Sequence, residues 1–142
     1  MGVKMNAKEV MTRKVVMVED SVTVGDAVKK MMEEKVSSLI VNRRTVDDAY
    51  GIVTRRDIVS KVVAFGLNAE ETKVEDVMTK PLVTVTPNLN IKHVARLMSQ
   101  TGVRRIPVFD GQQMLGLISN SDIFRAFGKY LMAEESKETS ML

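Results

Sequence analysis

The chain contains no cysteine and no tryptophan, and it has a single histidine, two tyrosines and four phenylalanines. Without cysteine, neither a disulfide framework nor a thiolate metal site can form. The lone histidine, His93, falls on the polar side of a predicted helix, so we expect no metal centre. With so few aromatic rings, stacking platforms for nucleic-acid bases are scarce.

Long apolar runs are also missing. No stretch approaches the roughly 20 residues that span a bilayer, and nothing resembles a secretory signal. We therefore expect a cytoplasmic protein without a membrane segment. The hydrophobic fraction of 44% and the charged fraction of 27% indicate a packed core. The net charge of +3 permits anionic ligands without requiring nucleic acid.

The sequence contains an internal repeat. Glu9-Val10-Met11-Thr12 reappears as Asp76-Val77-Met78-Thr79, and hydrophobic positions match throughout the two copies. The alignment shifts once, because the polar stretch before Gly51 is two residues longer than the one before Gly116. Insertions are tolerated in such turn segments, so the shift supports a duplication.

Each copy has the same predicted order, β-α-β-β-α. The first helix is expected to be capped by Thr23 or Asn90, with an apolar stripe at helical spacing. The predicted strands are 15–18, 39–41 and 51–53 in the first copy, and 82–85, 106–109 and 116–118 in the second. The closing helices are predicted near 57–65 and 122–132. The eleven methionines are expected to fill the core rather than form a recognition surface.

This order predicts an α+β fold in which two small units pack through their sheets in pseudo-two-fold symmetry. We place the first domain at residues 8–65, a linker at 66–73 and the second domain at 74–132. Residues 133–142 are expected to form a polar C-terminal tail that frays from Glu134.

The pattern resembles the tandem cystathionine-β-synthase (CBS) domain pair, or Bateman module. The resemblance covers roughly residues 8–132. It is carried by the two D/E-V-M-T starts, by the segment from Gly102 to Asp110, and by the two endings at 51–58 and 116–123. It implies a stand-alone regulatory protein that binds AMP, ADP, ATP or S-adenosyl compounds between its copies, and that commonly forms a homodimer.

The resemblance also implies two nucleotide sites, each combining residues of both copies around one ribose-binding aspartate. The first set is Ile52, Thr54, Arg56, Asp57, Thr79, Val83, Val103, Arg104, Arg105 and Pro107. The second set is Thr12, Val16, Val36, Ser37, Ser38, Leu117, Ser119, Ser121 and Asp122.

A carboxylate is a suitable ribose ligand, because it only accepts hydrogen bonds and can take both hydroxyl protons of a diol. The sites are expected to differ, since Arg104 and Arg105 stand where the first copy has Ser37 and Ser38. Guanidinium groups suit phosphate oxygens, so we expect phosphorylated nucleotide at the Asp57 site and a weaker or uncharged adenosine ligand at the Asp122 site.

Simpler interpretations stand beside these. Thr54 with Asp57, and Ser119 with Asp122, have the spacing of capping boxes at helix starts. Arg104 and Arg105 could be solvated surface charges, and that interpretation is favoured for the arginine pairs at 43–44 and 55–56.

The sequence lacks the motifs of nucleotide hydrolases, dehydrogenases and metalloproteases, and it has no cysteine nucleophile. We therefore predict no catalysis and no catalytic cofactor. The alternatives to nucleotide sensing are nucleic-acid binding through the arginine pairs and a ligand-free dimerisation unit. Any regulated effector protein is expected on a separate chain. The sequence leaves open which adenosine ligand is native.

Overall fold

The computed structural model describes the backbone of residues 3–141 and the side chains of residues 3–138. The chain forms two compact units that do not coincide with the two sequence repeats. We call Val15–Leu82 the middle unit, and the described residues up to Lys14 together with those from Val83 onward the split unit. The opening segment of each repeat, residues 6–12 or 74–80, therefore belongs to the same unit as the body of the other repeat.

The middle unit contains a three-stranded sheet covered by one long helix. β2 (Ser38–Val41) is the central strand, parallel to β1 (Met17–Val18) and antiparallel to β3 (Gly51–Thr54), with Ile40 opposite both Met17 and Ile52. The elements are β1 (Met17–Val18), α2 (Val24–Glu34), β2 (Ser38–Val41), β3 (Gly51–Thr54), α3 (Arg55–Ile58) with a π-helical continuation (Val59–Val63), and a 3-10 helix (Val74–Asp76). They follow α1 (Ala7–Val10), which lies in the split unit.

Helix α2 begins where predicted, since the Thr23 hydroxyl accepts a hydrogen bond from the Asp26 amide at 3.0 Å. It ends at Lys35, whose φ of +57° breaks the helix. Its predicted stripe packs on the sheet with Val24, Ala27 and Met31 buried, because one face of an amphipathic helix must be covered. Residues expected to form the linker also bond to this helix, through Ala69 and Thr72 carbonyls.

The split unit contains a two-stranded antiparallel sheet and, besides α1, two longer helices. Arg105 lies opposite Ser119, and the pairing is irregular between Val108 and Phe109. The Asn90 side chain caps the first helix at the Lys92 amide, as predicted, and Gly102 ends it with a φ of +75°. The elements are α4 (Ile91–Thr101), β4 (Arg105–Phe109), β5 (Met114–Ser119) and α5 (Asn120–Met141).

The α+β fold class is confirmed, and two expected details are wrong. Residues 82–85 do not form a strand. Only Val85 pairs, with Val108, because Pro81 and Pro87 flank the segment and lack the N–H groups that a ladder needs. The expected frayed tail continues α5 to Met141, since Ala133 to Glu138 is rich in good helix formers. Leu142, the last residue of that tail, lies outside the described residues.

Each opening segment approaches its strand very closely at a glycine. In the split unit, Thr12 and Leu117 exchange two backbone hydrogen bonds of 2.8 and 2.9 Å. A Cβ atom on Gly116 would lie 2.5 Å from the Thr12 carbonyl oxygen. In the middle unit, Thr79 pairs with Ile52 in the same way, and a Cβ on Gly51 would lie 3.2 Å from the Thr79 oxygen.

A charge network also holds the opening segment of the second repeat. Arg44 Nε and Nη2 each lie 2.7 Å from a carboxylate, those of Asp20 and Glu75. Asp48 accepts from the Arg44 amide and pairs with Lys80 at 2.8 Å. The Arg44 backbone hydrogen bond, followed by the Lys80 contact, lowers the pKa of Asp48 from 3.8 to about 2. The extra-long turn of the first repeat thus binds the opening segment electrostatically.

We expect Gly116→Ala to lower the free energy of unfolding by about 1–3 kcal/mol, since the methyl group must displace backbone. Gly51→Ala should cost less, because its nearest neighbour is the flexible Met78 side chain. Gly128→Ala is the control. It lies in α5 with no atom near its Cβ and should stabilise by about 0.5–1 kcal/mol. Chemical denaturation measures all three, and equal losses at positions 116 and 128 would contradict the packing argument.

Asp48→Asn should lower the melting temperature at neutral pH but not in strong acid. A carboxyl group whose pKa is lowered on folding stabilises the protein above its ordinary pKa, and that contribution is lost as the pH falls through the folded value. The difference from the unaltered protein should therefore be constant above about pH 5, shrink progressively as the pH falls, and vanish near pH 1. Asp47→Asn controls for loss of one exposed charge. A difference that persists unchanged at pH 2 would disprove the assignment.

Candidate functional site

The two predicted ribose-binding aspartates occupy equivalent places, at the end of a strand and the start of a helix. Asp57 follows β3 in the middle unit, and Asp122 follows β5 in the split unit. Their side chains are largely but not fully covered, with 16% and 11% exposure. Each therefore retains a small accessible acidic surface.

In both aspartates, one carboxylate oxygen is used by a capping box. Asp57 Oδ2 accepts from the Thr54 amide at 2.9 Å, and the Asp57 amide donates to the Thr54 hydroxyl at 3.1 Å. Ser119 and Asp122 repeat both bonds at 2.9 and 3.1 Å. The capping interpretation is thus confirmed for both pairs.

The second oxygen of each carboxylate faces a different set of groups. Asp57 Oδ1 lies 3.3 Å from Lys61 Nζ, one helical turn further on. Asp122 Oδ1 lies 3.2 Å from Arg125 Nη1 and 3.5 Å from the Thr12 hydroxyl. This oxygen is the one that remains for hydrogen bonding to a ligand, beside a cation in each case.

Within the units, several expected site residues lie together. Thr79 pairs with Ile52 two residues before Thr54, and Thr12 pairs with Leu117 two residues before Ser119. The opening segments therefore bring their threonines beside the strands that carry the aspartates. In addition, Arg105 and Pro107, which are expected at the first site, belong to the same two-stranded sheet as Ser119 and Leu117, which are expected at the second. Arg105 lies opposite Ser119, and Pro107 lies opposite Leu117.

The two expected sets are each divided between the units. From the first set, Val83, Val103, Arg104, Arg105 and Pro107 lie in the split unit and the others in the middle unit. From the second set, Val16, Val36, Ser37 and Ser38 lie in the middle unit and the others in the split unit.

The expected residues differ in how much surface they offer. Val83 and Val103 are exposed although they are apolar. The polar residues that are exposed are Thr12, Arg56, Arg104 and Ser121. Exposed valines are suited to contact a flat apolar ring. Ser38, in contrast, is only 3% exposed at the start of β2, and Pro107 is fully buried. These two side chains present almost no surface to a ligand.

Three charged residues make contacts that are absent from the sequence-based expectations. Lys61 and Arg125 are two of them, although their positions four and three residues after the aspartates are typical of contacts on a helix. Arg44 is exposed, as predicted, but its ion pair with Asp20, which is only 6% exposed, is absent from the sequence-based expectations. No local signal reveals that pair, because its partners are far apart in the chain.

No helix in the described part of the chain combines the length and the apolar character that a bilayer crossing requires. The cytoplasmic location stays a prediction.

Comparisons with known proteins agree with the duplication. A family model for the CBS domain matches residues 7–64 and 74–129. The hexameric CBS-CP12 protein from bloom-forming cyanobacteria is 49% identical and superposes with a TM-score of 0.83, over 87% of this chain and 68% of that one. An uncharacterised conserved protein from Pyrococcus horikoshii is 31% identical with a TM-score of 0.78, over 89% and 94% of the chains.

Among curated proteins, a mitochondrial CBS domain-containing protein of Arabidopsis thaliana is 38% identical over 107 residues, 73% of this chain and 52% of that protein. The chain spans 44–66% of the length of the first curated relatives it matches. Proteins with such CBS pairs are commonly regulatory, ligand-binding modules. With two matched copies that fill most of its length, this chain belongs to the CBS domain family.

Proposed function

We propose that the protein is a regulatory sensor of adenosine nucleotides, without catalysis of its own, and that Asp57 and Asp122 bind the ribose hydroxyls. One observation carries this proposal. In both units a partly exposed carboxylate uses one oxygen to cap a helix and turns the other toward polar groups. The cap fixes the position of the acid, so the second oxygen is oriented before a ligand arrives.

The chemistry of this oxygen fits a sugar diol. It has two acceptor positions, and hydroxyl donors to a charged acceptor each contribute about 1.5–3 kcal/mol. The neighbouring cations, Lys61 and Arg125, suit the phosphates that would accompany the ribose. On the resemblance to the family, Val83 and Val103, which are exposed, are proposed to supply the apolar surface that an adenine requires. The remaining residues of the two predicted sets are included in the proposal on the resemblance to the family.

Nucleic-acid binding is the weaker candidate because one of its arginine pairs is engaged. Arg44 is bound by Asp20 and Glu75, which raise the pKa of its guanidinium. Arg43 lies 4.9 Å above the Tyr50 ring and donates to the Val46 carbonyl. Guanidinium groups held in this way would have to break intramolecular contacts before binding phosphates.

We also infer that the protein self-associates through helix faces that follow the aspartates. On α5, Phe124, Phe127 and Leu131 are exposed at helical spacing, and Phe124 is 73% exposed. Val59 and Val63 form a shorter exposed pair after α3. Such stripes favour a second copy as the occupant, because the cyanobacterial CBS-CP12 relative is hexameric. A homodimer is the smallest such assembly, and the regulated effector is proposed to be a separate chain.

Asp57→Asn should weaken AMP binding, measured by calorimetry, by about 30- to 1000-fold, equivalent to roughly 2–4 kcal/mol. Asparagine keeps an oxygen for the Thr54 amide, so the cap is preserved while the charge is lost. Asp26→Asn is the matched control, since it removes an exposed carboxylate from the first turn of α2 and should leave affinity unchanged.

Three outcomes separate the candidate functions. Stabilisation by AMP, ADP or ATP that depends on Asp57 supports the proposal. A ligand at 100 times its dissociation constant adds about 2.7 kcal/mol to the free energy of unfolding, which a thermal-shift measurement detects. Stabilisation by an oligonucleotide alone would favour nucleic-acid binding. No response to either would leave a ligand-free association unit and refute nucleotide sensing.

Phe127→Ser should reduce the molar mass measured by light scattering toward that of one chain, because it removes a large apolar group from the centre of the α5 stripe. Lys129→Ser, an exposed position on another side of the same helix, should leave the assembly intact. An unchanged assembly for Phe127→Ser would place the interface elsewhere.

A further inference from the structure

Lys61 connects the ligand-facing oxygen of Asp57 to the opening segment of the second repeat. Its ammonium lies 3.3 Å from Asp57 Oδ1 and donates to the Val77 carbonyl at 2.9 Å. The Lys61 side chain is 43% exposed. All three residues belong to the middle unit. One cation therefore contacts both the proposed binding group and the backbone of the segment that carries Thr79.

The backbone around Lys61 is unusual at this point. The residue lies in the π-helical continuation Val59–Val63, a widened turn of a kind that occurs frequently at functional sites. The Val77 side chain is buried in the core, and the Val77 backbone carbonyl accepts the hydrogen bond from the Lys61 ammonium. The lysine thus contributes a bond to a segment whose position is otherwise set by backbone pairing and by the Arg44 network.

The split unit has a different connection at the equivalent place. There the opening segment reaches the carboxylate itself, because the Thr12 hydroxyl lies 3.5 Å from Asp122 Oδ1. Arg125 contacts the same oxygen at 3.2 Å. The Thr12 hydroxyl is neutral, so it is affected mainly by whether a ligand occupies the carboxylate. The Lys61 ammonium is charged, so it is also affected by the charge of that ligand. The two units therefore differ in what a ligand can change.

We propose that Lys61 makes the middle unit respond to the charge of the ligand bound at Asp57. This inference rests on the nucleotide-binding function proposed above. An anionic ligand draws the ammonium away from the Val77 carbonyl and loosens the opening segment of the second repeat. An uncharged ligand with the same ribose leaves that bond in place.

The relative strengths of the contacts support this direction. The bond from the Lys61 ammonium to the neutral Val77 carbonyl has only one charged partner, whereas a phosphate oxygen adds Coulombic attraction between opposite charges, so the phosphate competes well with the carbonyl. The lysine stem is flexible and its ammonium has three donors, which lets it turn to a new acceptor near Asp57 without moving the helix. A ribose hydroxyl donates to Asp57 and gives the ammonium no new negative charge.

The test compares hydrogen exchange of the backbone amides at 77–79 with no ligand, with saturating AMP and with saturating adenosine. In the unaltered protein, AMP should speed their exchange by about tenfold relative to adenosine, the change expected for loss of one charge-assisted bond. Lys61→Met should speed exchange without any ligand and abolish the difference between AMP and adenosine. Lys61→Arg should restore it, and Lys30→Met, at an exposed lysine of α2, should behave as the unaltered protein.

Calorimetry on the same samples separates the two proposals. If neither AMP nor adenosine binds the unaltered protein, the proposed function fails and this inference falls with it. If both bind but exchange at 77–79 is the same with each, only the role of Lys61 is overturned. A difference between AMP and adenosine that survives in Lys61→Met also overturns it.

Discussion

Close backbone approach at Gly51 and Gly116 is the constraint on which both units depend. At Gly116 the opposing carbonyl of Thr12 leaves no room for a methyl group, and two backbone hydrogen bonds join the segments. Because the partner segment in each unit comes from the other repeat, neither repeat completes its own unit. Pairing over such sequence distances carries a loop-closure entropy cost, which burial of the Met11 and Val77 side chains helps to offset.

This pairing also brings the functional candidates together. It places Thr12 within reach of Asp122, and it places the Val77 carbonyl against Lys61. The opening segments are therefore both structural elements and neighbours of the acidic groups. A change at either carboxylate has a short physical route to the backbone of the other repeat, which is the property that a sensor requires.

The two interpretations of the aspartates do not compete, because each uses a different oxygen. Oδ2 satisfies the exposed amides at a helix start, where unpaired N–H groups would otherwise remain. Oδ1 stays available beside a cation. Capping holds the carboxylate in one rotamer, and a group held in this way loses less entropy when it binds a ligand. The structural role thus favours the proposed binding role.

By itself, the sequence determined the duplication, the α+β class, the two capped helices and the hairpin strands. These features depend on hydrophobic period and on caps such as Thr23 and Asn90, which act within a few residues. Tertiary structure alone decided that the opening segments pair with the opposite repeat, that Arg44 joins Asp20 and Glu75, and that the Lys61 ammonium reaches the Val77 carbonyl. Those contacts link residues that are distant along the chain, and local spacing carries no information about which distant groups will meet.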